Sequence, residues 1–377
     1  MELILKIGIG FYSLIYAILK LLPVQKKVLF LSRQSNQPSL DFRMLAEKIE
    51  ELHPDHRCVM LCKFIEPGLA SKIGYCFHML RQEYHLATSR VVVLDSYSIL
   101  TSCLQHKKSL LVIQMWHSVG TMKKFGYSIL DKPEGSSSVV AHAMHMHENY
   151  DYMLASAESY KPHLAEGFNQ PVSKIMTLAL PRVELLKSAE YKEKTRKKIF
   201  ERYPELDDNK KNIVYAPTFR KEAREQEPFR EALESLASVI DHEKYNLILK
   251  LHPLAAQTVS APGAITDTEF STFDMFFAAD AVISDYSCAI YEAAVLDLPL
   301  YFYAYDLDEY LSIRDIYMDY RTEVPGPICR TASELADALE QPYDMERLRA
   351  FTNKYVSPEN HDETRRIADF IFDHLKG

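Results

Sequence analysis

LLVIQMWHSVGTMKKFG, residues 110–126, decides the fold. A short apolar run, LLVIQMW, stops at His117 and opens into a loop carrying Gly120, Lys123 and Lys124. Short apolar runs closed by turn residues read as strands buried on both faces, the type found in parallel sheets. The pattern returns at YNLILKLHP, residues 245–253, where His252 follows the run and Pro253 cannot donate to a further ladder bond. Open parallel sheets present their chemistry at the carboxyl ends of their strands. Two such ends, about a domain apart, predict two sheets facing one interdomain cleft, with an imidazole from each.

Outward from these two stretches the alternation of strand and helix continues. VLFLS (28–32), CVMLCKF (58–64), VVVLDSY (91–97) and DYMLASA (151–157) read as further strands, and KIMTLALPRVELL (174–186) closes this half. Helices are expected over about 43–52 and 68–88. In the second half NIVYAPTFR (212–220), DAVISDYS (280–287) and LPLYFYAYDL (298–307) are strands. The last helices, about 332–340 and 359–375, are expected to close that half. At 377 residues the chain exceeds what one core usually serves, so two domains are expected. The expected class is α/β: two Rossmann-like domains, 26–186 and 187–377, preceded by an amphipathic helix over 1–25.

Composition excludes several functions. A net charge of −8 argues against a nucleic-acid binder. The cysteines at 58, 62, 76, 103, 288 and 329 have neither disulfide-framework nor zinc spacing and suit a reducing compartment. No GxGxxG follows a strand and no GxxxxGK[ST] occurs, so dinucleotide and P-loop devices are absent. The amino-terminal stretch MELILKIGIGFYSLIYAILKLLPVQKK is apolar between Lys6 and Lys20 but too short there to span a bilayer. Leu3, Ile7, Phe11, Leu14, Ile18 and Leu22 would dip into a membrane in plane, with Tyr12, Tyr16 and the lysines at the headgroups. A true span and a helix packed on its own protein are the alternatives.

Four segments carry candidate chemistry. In SDYSCAIYEAAVLDLP (284–299), Ser284 or Asp285 could cap a helix opening at 284–287, whose first turn would hold a diphosphate. Tyr286 and Ser287 lie in the same turn, and Glu292 would reach a ribose. In YAPTFR, Thr218 and Arg220 lie beyond a strand stopped by Pro217, with Arg220 expected as a phosphate clamp. Lys250 and His252 belong to LKLHP. Trp116, His117, Gly120, Lys123 and Lys124 form the fourth group, expected on the acceptor side. A well-capped helix, a solvated arginine and structural histidines are the plainer readings of each. Asp306 and Asp308 resemble a DxD metal pair, and His142, His145 and His147 a loose metal spacing, but neither has companion ligands in sequence, and no metal site is assigned.

In order and spacing, WHSVGTMKKFG, LPRVELL, YAPTFR, LKLHP, ISDYSCAIYEAAVLDLPLYFYAYDLDEY and RTEVPGP resemble the CDP-glycerol glycerophosphotransferase family of teichoic acid synthesis. The likeness covers about residues 110–327. Members often carry WHGTP where this chain has Trp116 to Gly120, and a second serine where Cys288 stands. The resemblance implies a GT-B-like fold, a CDP-glycerol or CDP-ribitol donor and an undecaprenyl-diphosphate-linked saccharide acceptor. It also implies a peripheral site at the cytoplasmic face of the membrane. Glycerol phosphate would pass from CDP-glycerol to that acceptor with release of CMP. His117 would be the base, and His252, Arg220 and the turn at 284–287 would stabilise phosphate charge. The two histidines' roles could be reversed. No cofactor is required in this scheme, although Mg²⁺ on the diphosphate is compatible with it. A GT-B nucleotide-sugar glycosyltransferase and a non-catalytic membrane scaffold are the rival readings.

Overall fold

The computed structural model describes residues 2–206, 209–220, 223–251, 261–356 and 362–376. Two parallel sheets of six strands each organise it. The first contains β1 (Lys27–Ser32), β2 (Arg57–Cys62), β3 (Val91–Leu94), β4 (Leu111–Gln114), β5 (Tyr152–Ala155) and β6 (Ile175–Thr177), in the order β2-β1-β3-β4-β5-β6. The second contains β7 (Lys211–Tyr215), β8 (Tyr245–Leu249), β9 (Ile265–Thr266), β10 (Ala281–Ser284), β11 (Leu300–Tyr303) and β12 (Ile328–Cys329), in the order β12-β11-β10-β7-β8-β9. The central strands β1, β3, β4, β10 and β11 are buried along their whole length, as uninterrupted Val, Ile, Leu and Phe runs require when helices cover both faces. The short strands β9 and β12 were not visible as apolar runs.

Strand order fixes where ligands can enter. In the first sheet the chain runs from β1 outward to β2, then returns to β3 on the other side of β1. In the second it runs from β7 to β8 and β9, then returns to β10 on the other side of β7. Crevices form at such reversals, outside the carboxyl ends of the two flanking strands. Ser32, Asp95 and Ser96 therefore border one reversal; the loops 216–220 and 285–288 border the other.

The chain divides into two compact units, one of Met1–Val119, Lys124–Glu184 and Asn360–Gly377, the other of Gly120–Lys123 and Leu185–Glu359. The carboxy-terminal helix Glu363–Asp373 therefore does not close the second domain, as expected for 187–377. It packs on Leu40–Leu52 in the first unit, where Ile367, Ala368 and Ile371 are buried and the backbone N–H of Thr364 meets the Glu184 carboxylate. The sequence places a helix near this end but does not say which domain covers it.

The amino-terminal helix, Glu2–Leu19, lies against Leu69–Thr88. Tyr16 is buried, and its hydroxyl donates to His106 Nδ1 at 2.8 Å, while His106 Nε2 donates to the Thr101 carbonyl at 2.7 Å. Tyr12 donates to the Cys76 carbonyl at 3.4 Å. The headgroup role expected for these tyrosines is thus corrected: both tie the helix to the protein. Ile7, Phe11, Leu14, Ile18 and Leu22 remain exposed. Among the described residues no helix is long and apolar enough to cross a membrane.

Candidate active site

At the first reversal the decisive residue is His117, just beyond β4. Trp116 sits at φ 67°, a left-handed conformation that costs a side-chain-bearing residue energy and turns the chain sharply at the strand end. Its amide donates to the Gln114 side-chain oxygen at 3.0 Å, and its ring packs 4.4 Å from Phe125 and 4.3 Å from the His117 ring. His117 Nδ1 lies 2.9 Å from the Asp95 carbonyl oxygen. A carbonyl only accepts, so Nδ1 carries the proton and Nε2 keeps its lone pair. Burial lowers the His117 pKa; Arg182 pushes the same way, while the Asp95 carbonyl and the more distant Asp41 oppose. The imidazole is therefore neutral at pH 7 and basic at Nε2.

Two acids that sequence reading passed over complete this end. Asp41, buried in the helix Leu40–Leu52, receives Arg182 Nε at 2.8 Å and the Arg182 amide at 2.9 Å. This fork explains the Pro181-Arg182 step of LPRVELL: the guanidinium fastens the chain after β6 to the helix after β1. Asp95 is only 2% exposed, and burial pushes its carboxyl up to about 6, partly offset by the hydroxyls of Ser32 and Ser96. The acid directly after VVVL was the available signal.

At the second reversal the structure reassigns several residues. Ser284 ends β10, and its hydroxyl donates to the Ala216 carbonyl at 2.7 Å. Asp285 Oδ1 accepts from the amides of Thr218 at 2.7 Å and Tyr286 at 2.5 Å. Neither caps a helix. The helix begins at Ala289, runs only to Val295, and its cap position, Cys288, makes no side-chain cap bond. The anion site expected over 284–287 is thus a loop held by strand-to-strand bonds. Ser287 Oγ accepts from the Ala289 amide at 3.3 Å, and Glu292 is buried on that short helix.

Arg220 also departs from expectation. It is buried, with NH1 3.1 Å from Asp285 and donating to the Thr218 carbonyl at 2.8 Å, and with Nε and NH2 on Asp306 at 3.1 and 2.8 Å. Burial alone would lower its pKa; Asp285, Tyr305 and Asp306 together raise it above the usual arginine value. A guanidinium so engaged is a pivot joining the loops after β7, β10 and β11, not an open clamp. Asp306, the apparent half of a DxD pair, is spent on this pivot and on the Tyr286 hydroxyl at 2.9 Å. Asp308 instead lies at the surface with Arg321 and Arg330. Lys250 is likewise consumed, donating to the Asp267 carboxylate at 2.6 Å and to the Asp267 and Phe270 carbonyls at 3.2 and 2.6 Å. Its expected place on the donor phosphates is corrected to a buried tie between β8 and the loop after β9. His252 lies outside the described residues.

Partly exposed at this end are Thr218, Ser287, Cys288 and Lys123. Lys123 was expected beside the acceptor with Gly120 and Lys124, but Gly120–Lys123 belong to the second unit. Lys123 Nζ stands 3.5 Å from Thr218 Oγ1, and Lys124, in the first unit, 3.7 Å from Glu166. The histidines 142, 145 and 147 separate: His142 faces the Tyr127 ring, His145 meets Glu148 at 2.9 Å, and buried His147 meets the Tyr150 hydroxyl at 3.0 Å. No group of three or more potential metal-ligating side chains converges among the described residues.

Residues 14–373 match the family described as CDP-Glycerol:Poly(glycerophosphate) glycerophosphotransferase. The chain belongs to this family. Its curated members include a teichoic acid ribitol-phosphate primase of Bacillus spizizenii, 36% identical over 96% of this chain and 95% of that protein. A teichoic acid glycerol-phosphate primase of Bacillus subtilis is 27% identical over 78% of this chain and 76% of that protein. A poly(ribitol-phosphate) polymerase of Bacillus spizizenii is 27% identical over 97% of this chain, which spans only 59% of it. Among solved structures, the wall teichoic acid polymerase TagF in a histidine variant soaked with CDPG superposes with a TM-score of 0.75 at 18% identity, covering 99% of this chain and 98% of that one. The fold is thus the GT-B-like α/β fold shared with TagF. A family member of this kind is a teichoic acid phosphotransferase enzyme.

Proposed function

We propose that this enzyme transfers one ribitol phosphate from CDP-ribitol to a prenyl-diphosphate-linked saccharide, releasing CMP. The observation that carries the reading is the 36% identity to a ribitol-phosphate primase over nearly the whole of both chains. The glycerol donor implied by the family resemblance has weaker support, 27% identity over 76% of a glycerol-phosphate primase. The higher identity to that primase, 36% against 27% to a poly(ribitol-phosphate) polymerase, favours addition of a first unit over chain extension.

The chemistry follows from His117. An acceptor hydroxyl attacks the β-phosphorus of the CDP-polyol, forming the new P–O bond. The bond from that phosphorus to the bridging oxygen breaks, and CMP departs with the electron pair. The hydroxyl proton goes to His117 Nε2, which the Asp95 carbonyl leaves free and burial keeps unprotonated. The loops held by Arg220, Asp285 and Asp306 receive the nucleotide diphosphate at the second reversal.

A peripheral position on the cytoplasmic membrane face belongs to the same proposal. Ile7, Phe11, Leu14, Ile18 and Leu21 of the amino-terminal segment are exposed beside Leu69, Ile73 and Phe77 of Leu69–Thr88. Ile73 and Phe77 stand one turn apart, so two adjacent helices show apolar stripes, with exposed Lys6, Lys72 and Arg81 to meet anionic headgroups. Phe11→Glu combined with Phe77→Glu should release the protein from anionic vesicles; undiminished sedimentation with them would remove this placement.

Incubation with CDP-ribitol, CDP-glycerol and UDP-sugars in the presence of a prenyl-diphosphate disaccharide tests the main reading. CMP release is expected, fastest from CDP-ribitol. Release of a nucleoside diphosphate from a UDP-sugar would replace it with glycosyl transfer.

A further inference from the structure

We propose that Lys123 binds the diphosphate of the donor, the task that sequence reading gave to Arg220. The inference rests on the CDP-polyol reading above and adds the group that meets the phosphates.

Three observations place this ammonium. The backbone around it is fixed: Lys123 forms an antiparallel bridge to Ile316, and the Met122 carbonyl accepts from the Tyr317 amide at 2.9 Å. The side chain then reaches the carboxyl end of β7, where Nζ is 3.5 Å from Thr218 Oγ1 and 5.6 Å from the centre of the Tyr310 ring. That ring is itself held, stacked at 3.6 Å on Tyr286, whose hydroxyl is bound to Asp306. Lastly, among the described residues Lys123 forms no ion pair; Asp285, the nearby acid that would attract it, is bound to Arg220 and the loop amides.

A half-buried ammonium with one long hydroxyl contact and an aromatic face keeps donors unspent. Leaving a cation so poorly compensated disfavours the folded protein unless a ligand supplies the counter-charge. Burial lowers the Lys123 pKa, in keeping with a charge that has no carboxylate of its own. The place of this charge also matters: it borders the reversal between β7 and β10, beside the partly exposed hydroxyl of Thr218, and Ser287 lies in the loop after β10. One ammonium and the hydroxyls of Thr218 and Ser287 are the donors left at these strand ends, because Asp285 and Asp306 are bound to Arg220. An anion with several oxygens in a row, a nucleoside diphosphate, matches them. Arg220, whose donors are occupied by Asp285, Asp306 and a carbonyl, holds the loops in place instead.

Calorimetric titration of the full-length protein with CDP and with CMP tests this. Loss of one charge-assisted contact should weaken CDP binding to Lys123→Met by roughly ten- to a hundredfold. CMP, lacking the β-phosphate, should weaken less. Lys123→Arg should recover part of the loss, and Lys197→Met, on the exposed face of Ala189–Arg202, should bind like the wild type. If Lys123→Met does not fold, Lys123→Gln carries the same comparison. Unchanged CDP affinity in a folded Lys123 variant would overturn the assignment while leaving the transferase reading standing. Failure of the wild-type protein to bind CDP would overturn the donor reading and the assignment with it.

Discussion

Replacing Asp95 with asparagine should stabilise the protein at pH 8 and leave it unchanged at pH 3. The carboxyl is 2% exposed and its pKa rises from 3.8 to about 6 on folding, chiefly through burial. A folded-state pKa above the unfolded one means that the folded protein holds the proton more tightly. Below about pH 3 both states are protonated and burial of the side chain carries little penalty. Above pH 6 both are ionised, and folding must desolvate the charge. At ~1.4 kcal/mol per pH unit, that penalty reaches about 3 kcal/mol. Asparagine has nearly the shape of the protonated acid and never ionises. Asp95→Asn should therefore gain about 3 kcal/mol at pH 8, with the gain shrinking through pH 6 and vanishing near pH 3. Because His117 is held by the backbone carbonyl of residue 95, the substitution leaves its tautomer in place. Urea denaturation of both proteins from pH 3 to pH 8 measures the difference. A gain that is absent at pH 8, or independent of pH, would refute the view that a buried, largely uncompensated carboxylate stands at the end of β3.

Further outcomes follow from the same geometry. Arg220→Met leaves Asp285 and Asp306 without their cation, so a loss of about 3–5 kcal/mol in stability is expected; a folded variant altered only in donor KM would restore the clamp reading. Tyr16→Phe should cost about 1 kcal/mol through the lost bond to His106, visible as faster proteolysis of residues 2–19 and not as slower turnover. His117→Ala should lower kcat by about 10²–10⁴-fold. The wild-type kcat/KM should fall on the acid side only below pH 6.5, because the histidine pKa is lowered; turnover within a few-fold of wild type in the variant would end the base assignment.

Much of this architecture was legible because parallel strands buried on both faces leave uninterrupted apolar runs. VVVL, LVIQ and AVIS announce themselves, and the residues just beyond them, Asp95, His117 and Asp285, inherit positions at the sheet's carboxyl edge. The motif around Arg220 was visible too, but its partners were not. Asp285 and Asp306 lie 65 and 86 positions along the chain, and only the fold brings three loops to one guanidinium. Local spacing favoured a capped helix at 284–287, whereas Ser284 and Asp285 spend their side chains across strands. The short strands β9 and β12 carry too few residues for a period to emerge. Lys123 shows the same limit from the other side: the chain flanking Gly120–Lys123 on both sides lies in the first unit, while the contacts of Lys123 lie in the second.

The mass of the acceptor after turnover tests the central claim most directly. A prenyl-diphosphate disaccharide incubated with the enzyme and CDP-ribitol should gain one ribitol phosphate, with CMP formed in equal amount. Gain of a hexose from a UDP-sugar, or an acceptor left unchanged by both CDP-polyols, would contradict the account.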